Sequence, residues 1–139
     1  MKTTDDLLKA LSDTADIKNY INENAQSMCD GSIADYLQDL LAKKQITKSA
    51  AIKKAELSET YAYQIFSGTR DNPSRNWVIS IAFGMGLNLK ETQQMLKALG
   101  LTFLYAKHKR DCILMFAINH QLSVPETNEL LYENNEETL

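Results

Sequence analysis

With 139 residues, 44% hydrophobic and 24% charged, the chain is long enough to bury a real core and too apolar for a disordered segment. No apolar run approaches the length of a membrane span, and the opening MKTTDDLLKALSD is too acidic for a signal peptide, so a cytoplasmic protein is expected. The net charge of −3 argues against a nucleic-acid partner only when the chain is taken as a whole.

Two prolines and five glycines, with few β-branched runs, predict helix throughout. Residues 4–25 carry Leu7, Leu8, Leu11, Ile17, Tyr20 and Ile21 at helical spacing, with a break expected at Asp13-Thr14; residues 26–32 read as a loop closed by Ser32 as an N-cap. A helix is predicted over 33–44, its buried stripe formed by Ile33, Leu37, Leu40 and Leu41. Thr47 caps a helix over 48–55. Ser58 caps another over 59–67, which Gly68 ends at its C′ position. Ser74 opens a helix over 75–85. Asn88 with Glu91 makes a capping box for 89–99, which Gly100 ends. A long helix is predicted over 105–120. Ser123 with Glu126 makes a second capping box for 124–133, and the tail NNEETL is expected to fray.

One internal repeat stands out. Residues 75–96 align without gaps on residues 110–131, with identities at Arg75/Arg110, Ala82/Ala117, Leu87/Leu122, Glu91/Glu126, Thr92/Thr127 and Leu96/Leu131. Apolar phase and capping box agree, so a helical-hairpin repeat is expected, extending the core or supplying a dimer face. Trp77, Phe83, Met95, Phe103, Met115 and Phe116 stand at core spacing.

Charge is unevenly distributed. Residues 1–42 hold three Lys against eight Asp/Glu, residues 43–75 seven Lys/Arg against three, and residues 76–139 five against seven. The only positive block thus spans two short helices about the break Glu56-Leu57-Ser58. Local charge, not the total, sets attraction to phosphate within a Debye length. At about 100° per residue, Ala62, Ile65 and Phe66 fall on one side of helix 59–67, and Thr60, Tyr63, Gln64 and Ser67 opposite. A helix that docks on its domain and reads a DNA groove needs that division. Gln64 can pair with adenine, Thr60 can touch a base edge or thymine methyl, Tyr63 can pack on a thymine methyl or reach a phosphate, and Glu59 can accept from cytosine. Thr47, Lys48 and Ser49 open the preceding helix, where backbone N–H groups favour an anion. Ser67, Thr69, Arg70 and Arg75 flank the other end, and Lys43, Lys44, Lys53 and Lys54 add charge.

The stretch Ile46-Thr47, Leu57-Ser58, Ile65…Gly68…Arg70…Pro73-Ser74 and Ile81-Ala82…Gly86-Leu87-Asn88 resembles the Xre family of bacterial and phage repressors, over roughly residues 33–99. The resemblance implies an all-α fold: a lambda-repressor-like helix-turn-helix bundle, here with added N-terminal helices (1–31), a DNA-binding core (32–100) and a C-terminal helical hairpin (101–139) packed on it. It implies that Lys48 and Ser67 touch phosphate while Glu59, Thr60, Tyr63 and Gln64 face bases. The expected partner is double-stranded DNA, bound by a homodimer as a sequence-specific transcriptional regulator. Family members usually carry Gln at Lys48, Leu-Ala at Ala51-Ile52 and Gly at Glu56.

A protein-interaction module, an antitoxin or adaptor retaining the same fold, is the competing expectation, because helix 59–67 carries no Lys or Arg and the chain is net negative. No enzyme and no cofactor are expected: His108 and His120 lack metal-ligand spacing, Cys29 and Cys112 form no CxxC and read as reduced structural thiols, and Gly84-Met85-Gly86 ends a helix instead of following a strand. The KHKR cluster at 107–110 reads as a solvated helix start.

Overall fold

Most of the helices begin where a Ser, Thr or Asn side chain takes over an N–H that the helix itself cannot satisfy, and most are closed by a left-handed residue. In the computed structural model, which describes residues 32–139, seven helices follow one another with no strand among the described residues. They are α1 (Ile33–Lys44), α2 (Lys48–Lys54), α3 (Glu59–Ser67), α4 (Arg75–Met85), α5 (Leu89–Ala98), α6 (Lys109–Asn119) and α7 (Val124–Glu133). The helices expected over 4–25, the proposed N-terminal extension 1–31 and Cys29 lie outside the described residues. Ser32, Thr47, Ser74, Asn88 and Ser123 all accept from the expected backbone N–H groups, and both capping boxes form. Ser58 occupies the N-cap position of α3, but its side chain makes no capping hydrogen bond.

The core is one cluster that runs through the whole of residues 32–139. Leu37, Ile52, Ile65, Phe66, Ile79, Ile81, Met95, Leu96, Leu114 and Leu131 are all buried within it. Helix α4 lies at its centre and packs on α1, α2, α5 and α7. Gly84 sits inside α4 where α2 crosses it most closely: a Cβ there would collide with the Ala51 carbonyl and come within 2.8 Å of the Ala55 methyl. This glycine is a packing residue. The turn between α2 and α3 puts Glu56 in the left-handed region, φ 57°, with Leu57 N–H donating to the Ile52 carbonyl.

The sequence repeat is a repeat of structure, and it is longer than its identities suggest. Hairpin α4–α5 and hairpin α6–α7 reproduce each other's contacts at the same 35-residue offset. Gly86 and Gln121 are both left-handed, as are Gly100 and Asn135. Leu104 N–H donates to Gln93 Oε1, and Leu139 N–H donates to Asn128 Oδ1. Arg75 Nε donates to the Thr102 carbonyl, and Arg110 Nε donates to the Glu137 carbonyl, both at 2.8 Å. Between the copies the contacts cross reciprocally: Arg75 pairs with Asp111, and Arg110 donates to Asn76. Reciprocal exchange of this kind relates two copies by a local twofold axis.

Four expectations are corrected. The helix predicted over 105–120 begins only at Lys109, because the Tyr105 N–H is taken by the Asp111 carboxylate and the chain from Tyr105 to His108 turns. The tail does not fray: Arg110 holds the Glu137 carbonyl and Asn128 holds Leu139. Trp77 and Met95 are buried as expected and Phe83 and Met115 are half-buried, but Phe103 and Phe116 are 54% and 51% exposed. Cys112, read as a structural thiol, is exposed and free, donating to the Ala106 carbonyl.

Candidate nucleic-acid interface

Helix α3 divides its faces as its spacing predicts. Ala62, Ile65 and Phe66 are buried, while Glu59, Thr60, Tyr63 and Ser67 are exposed and Gln64 is half-buried. Two anchors hold the helix against the domain. Phe66 meets Trp77 edge to face with ring centroids 6.4 Å apart, and Gln38 of α1 donates its amide to the Phe66 carbonyl at 2.8 Å. The Gln38 bond satisfies a carbonyl that the last turn of a helix leaves open.

The turn at Glu56 brings the start of α2 beside the outer face of α3. Lys48 Nζ stands 5.8 Å from the Tyr63 ring centroid and 5.6 Å from that of Phe66, within the range of a cation–π attraction. Thr47 and Ser49 flank it, both exposed. The Thr47 hydroxyl oxygen already accepts from Ala50 N–H, leaving its O–H to donate outward. At the other end of α3, Ser67 and Thr69 hydroxyls lie 2.9 Å apart. Arg70 folds back over the last turn: its Nε donates to Gln64 Oε1 at 2.7 Å, and its guanidinium lies 5.7 Å from the Tyr61 ring centroid. The terminal nitrogens of Arg70 are thereby aimed by a neighbour that the sequence places six residues away.

Two members of the basic block are engaged elsewhere. Arg75, expected at a phosphate, uses four of its N–H groups on Thr102, Phe103 and both oxygens of Asp111. That carboxylate is 4% exposed, and a buried carboxylate needs a paired cation. Arg75 is therefore a structural clamp of the repeat. Lys44 pairs with Glu91 at 2.6 Å. Burial pushes the Glu91 carboxyl upward, but the bonds from Lys44 and the Asn88 N–H and the charges of Lys44 and Lys43 outweigh it and hold the carboxyl below its ordinary value. Lys54 lines a cleft between the two hairpin turns together with Leu87 and Leu122. Lys48 and Arg70 stand beside α3.

The KHKR cluster is only partly solvated: Lys109 donates to the Asn134 carbonyl and Arg110 to Asn76 and Glu137. Among the described residues no group of three His, Cys, Asp or Glu could hold a metal ion, and no helix is long and apolar enough to cross a membrane. The site residues that sequence reasoning missed are Gln38 and Trp77 as anchors of α3; no local signal marks a glutamine one element away as a helix anchor. The chain matches no family model, no curated protein and no solved structure.

Proposed function

We propose that α2 and α3 are a helix-turn-helix of the Xre, lambda-repressor-like kind, and that the protein is a sequence-specific DNA-binding regulator acting as a homodimer on a twofold-symmetric operator. One observation carries the reading: α3 exposes a row of polar side chains, Glu59, Thr60, Tyr63 and Ser67, with Lys48 beside the Tyr63 ring and Arg70 fixed on Gln64. Lys48, Ser67, Thr69 and Arg70 would take phosphates, with Thr47 and Ser49 alongside, while Glu59, Thr60, Tyr63 and Gln64 face bases. The Gln64–Arg70 bond makes these two act as a unit. Gln64 retains its amide N–H groups and a second lone pair for adenine, and its Oε1 holds Arg70 in place for a phosphate.

The test is selection of duplexes from a random pool at moderate salt. The expected result is an enriched motif that Gln64→Ala relaxes at one position, whereas Lys48→Ala weakens all sequences alike and lowers the salt slope by about one. Absence of enrichment at low salt as well would overturn the reading.

The second reading is a protein-interaction module on the same fold. The engagement of Lys44 and Arg75 inside the protein favours it, since both leave the positive block. Affinity for its partner would then survive rising salt, whereas DNA affinity falls steeply.

A further inference from the structure

The two hairpins have equivalent faces, but among the described residues other helices cover only one of them. On α4, Ile81 and Gly84 lie one turn apart on the stripe that α2 crosses, and both are buried. Their counterparts on α6, Phe116 and Asn119, are both exposed. The difference extends along the hairpin: Val78, Leu87 and Met95 are buried, while Ile113, Leu122 and Leu130 are only partly so. The apolar positions Val78, Ile81, Leu87 and Met95 thus have apolar counterparts in the second copy, with no described helix laid over them as α2 is laid over the first. What remains is a groove of about 350 Å³ whose floor is Phe116, Leu122 and Leu130 and whose rim is Glu126, Glu129 and Glu133.

The covered copy states what chemistry fits there. Its groove takes α1 and α2, which bring an apolar stripe of Leu41, Ala51, Ile52 and Ala55 flanked by lysines. Lys44 closes the ion pair with Glu91. The counterpart of Glu91 is Glu126, which accepts from the Ser123 N–H and makes no ion pair with a described residue, although Lys54 lines the neighbouring cleft with it. Glu129 and Glu133 likewise make no ion pair with a described residue. An isologous contact with a second copy would set these glutamates against their own images, which like charges oppose.

We infer that the outer groove of the α6–α7 hairpin is a docking site for an amphipathic helix of a partner protein, one whose apolar stripe is flanked by Lys or Arg. The stripe seats on Phe116, Leu122 and Leu130, and a basic side chain meets Glu126 as Lys44 meets Glu91. This is helix-in-groove recognition, and a rimmed apolar patch is the surface it requires. The site is separate from α3, so it stands whether or not the protein reads DNA.

The experiment uses the full chain and two designed, stapled helical peptides with the same Ala/Leu/Ile stripe, one flanked by lysines and the other by glutamates. Amide shifts and titration calorimetry read the binding. The expected result is that the lysine-flanked peptide shifts Phe116, Leu122 and Leu130, binds about tenfold more tightly than the other, and weakens with salt. Phe116→Glu is expected to weaken it at least about tenfold. Glu129→Lys with Glu133→Lys repeats the test at exposed positions that leave the apolar packing intact. Equal binding of the two peptides, shifts confined to other faces, or affinity unchanged in both variants would overturn the proposal. So would a dimer in sedimentation that Phe116→Glu dissolves, because the groove would then belong to a second copy.

Discussion

Glu56 shows how a single backbone angle separates a turn from its most comfortable residue. At φ 57° a side chain is crowded by its own carbonyl, and glycine is the residue that adopts this region without strain. Glu56→Gly removes the strain but leaves a more flexible unfolded chain, and those effects partly cancel. A net gain of about 0.5 kcal/mol is expected, seen as a higher urea midpoint with unchanged slope; a loss of stability would show that the glutamate side chain contributes a contact at the turn. The same scale explains why Arg75 was misread. Its position in a basic block just after α3 is as consistent with a phosphate contact as with a clamp. The decisive partner, Asp111, lies 36 residues away, and nothing local in the sequence couples the two.

At the scale of elements, α2 and α4 depend on one missing methyl group. Ala in place of Gly84 would gain about 1 kcal/mol of helix propensity, while its Cβ strikes the backbone of α2, which cannot rotate away. Overpacking of that kind costs about 3 kcal/mol, so Gly84→Ala is expected to lose about 2 kcal/mol net in chemical denaturation. Because α2 carries Lys48 and holds α3 through the turn, the DNA-reading proposal expects that variant to select duplexes less sharply as well. Helix existence and boundaries were largely legible, since Ser32, Thr47, Ser74, Asn88 and Ser123 are capping residues whose bonds are local. The exception is the start of α6. Tyr105 to His108 has acceptable helical composition, and it is turned by the carboxylate of Asp111, whose geometry depends in turn on Arg75 from the other hairpin.

At the scale of the whole molecule, the Lys44–Glu91 ion pair ties the first helix to the first hairpin in addition to the packing of α1 on α4. A carboxyl held below its ordinary value in the folded state stabilises that state above the unfolded value, and the contribution disappears as pH falls through the folded one. Thermal stability should therefore be level near neutrality and decline below about pH 4.3, with Glu91→Gln narrowing its gap to the parent protein over that same acid range. A gap that stayed constant down to pH 3 would show that the carboxylate charge at this site adds nothing. The pair is partly exposed, so screening keeps the effect small, of the order of 1 kcal/mol or less. The reciprocal clamps at Arg75 and Arg110 give the two hairpins a common frame, in which no described helix covers the second hairpin's outer face.

Helicity, the caps, the division of α3 into apolar and polar faces and the hairpin repeat were all readable from residue order. Each rests on interactions within a few residues or on the helical period itself. Which apolar side chains are covered, and which cations remain available, was not readable. Phe116 and Ile81 occupy the same register of the same motif, and they differ only because α2 lies across one and no described helix lies across the other. Lys44 and Lys48 stand four residues apart in one basic block, yet Glu91 engages the first and the Tyr63 ring neighbours the second. Burial and pairing depend on residues brought together from distant parts of the chain, and periodicity carries no record of those partners.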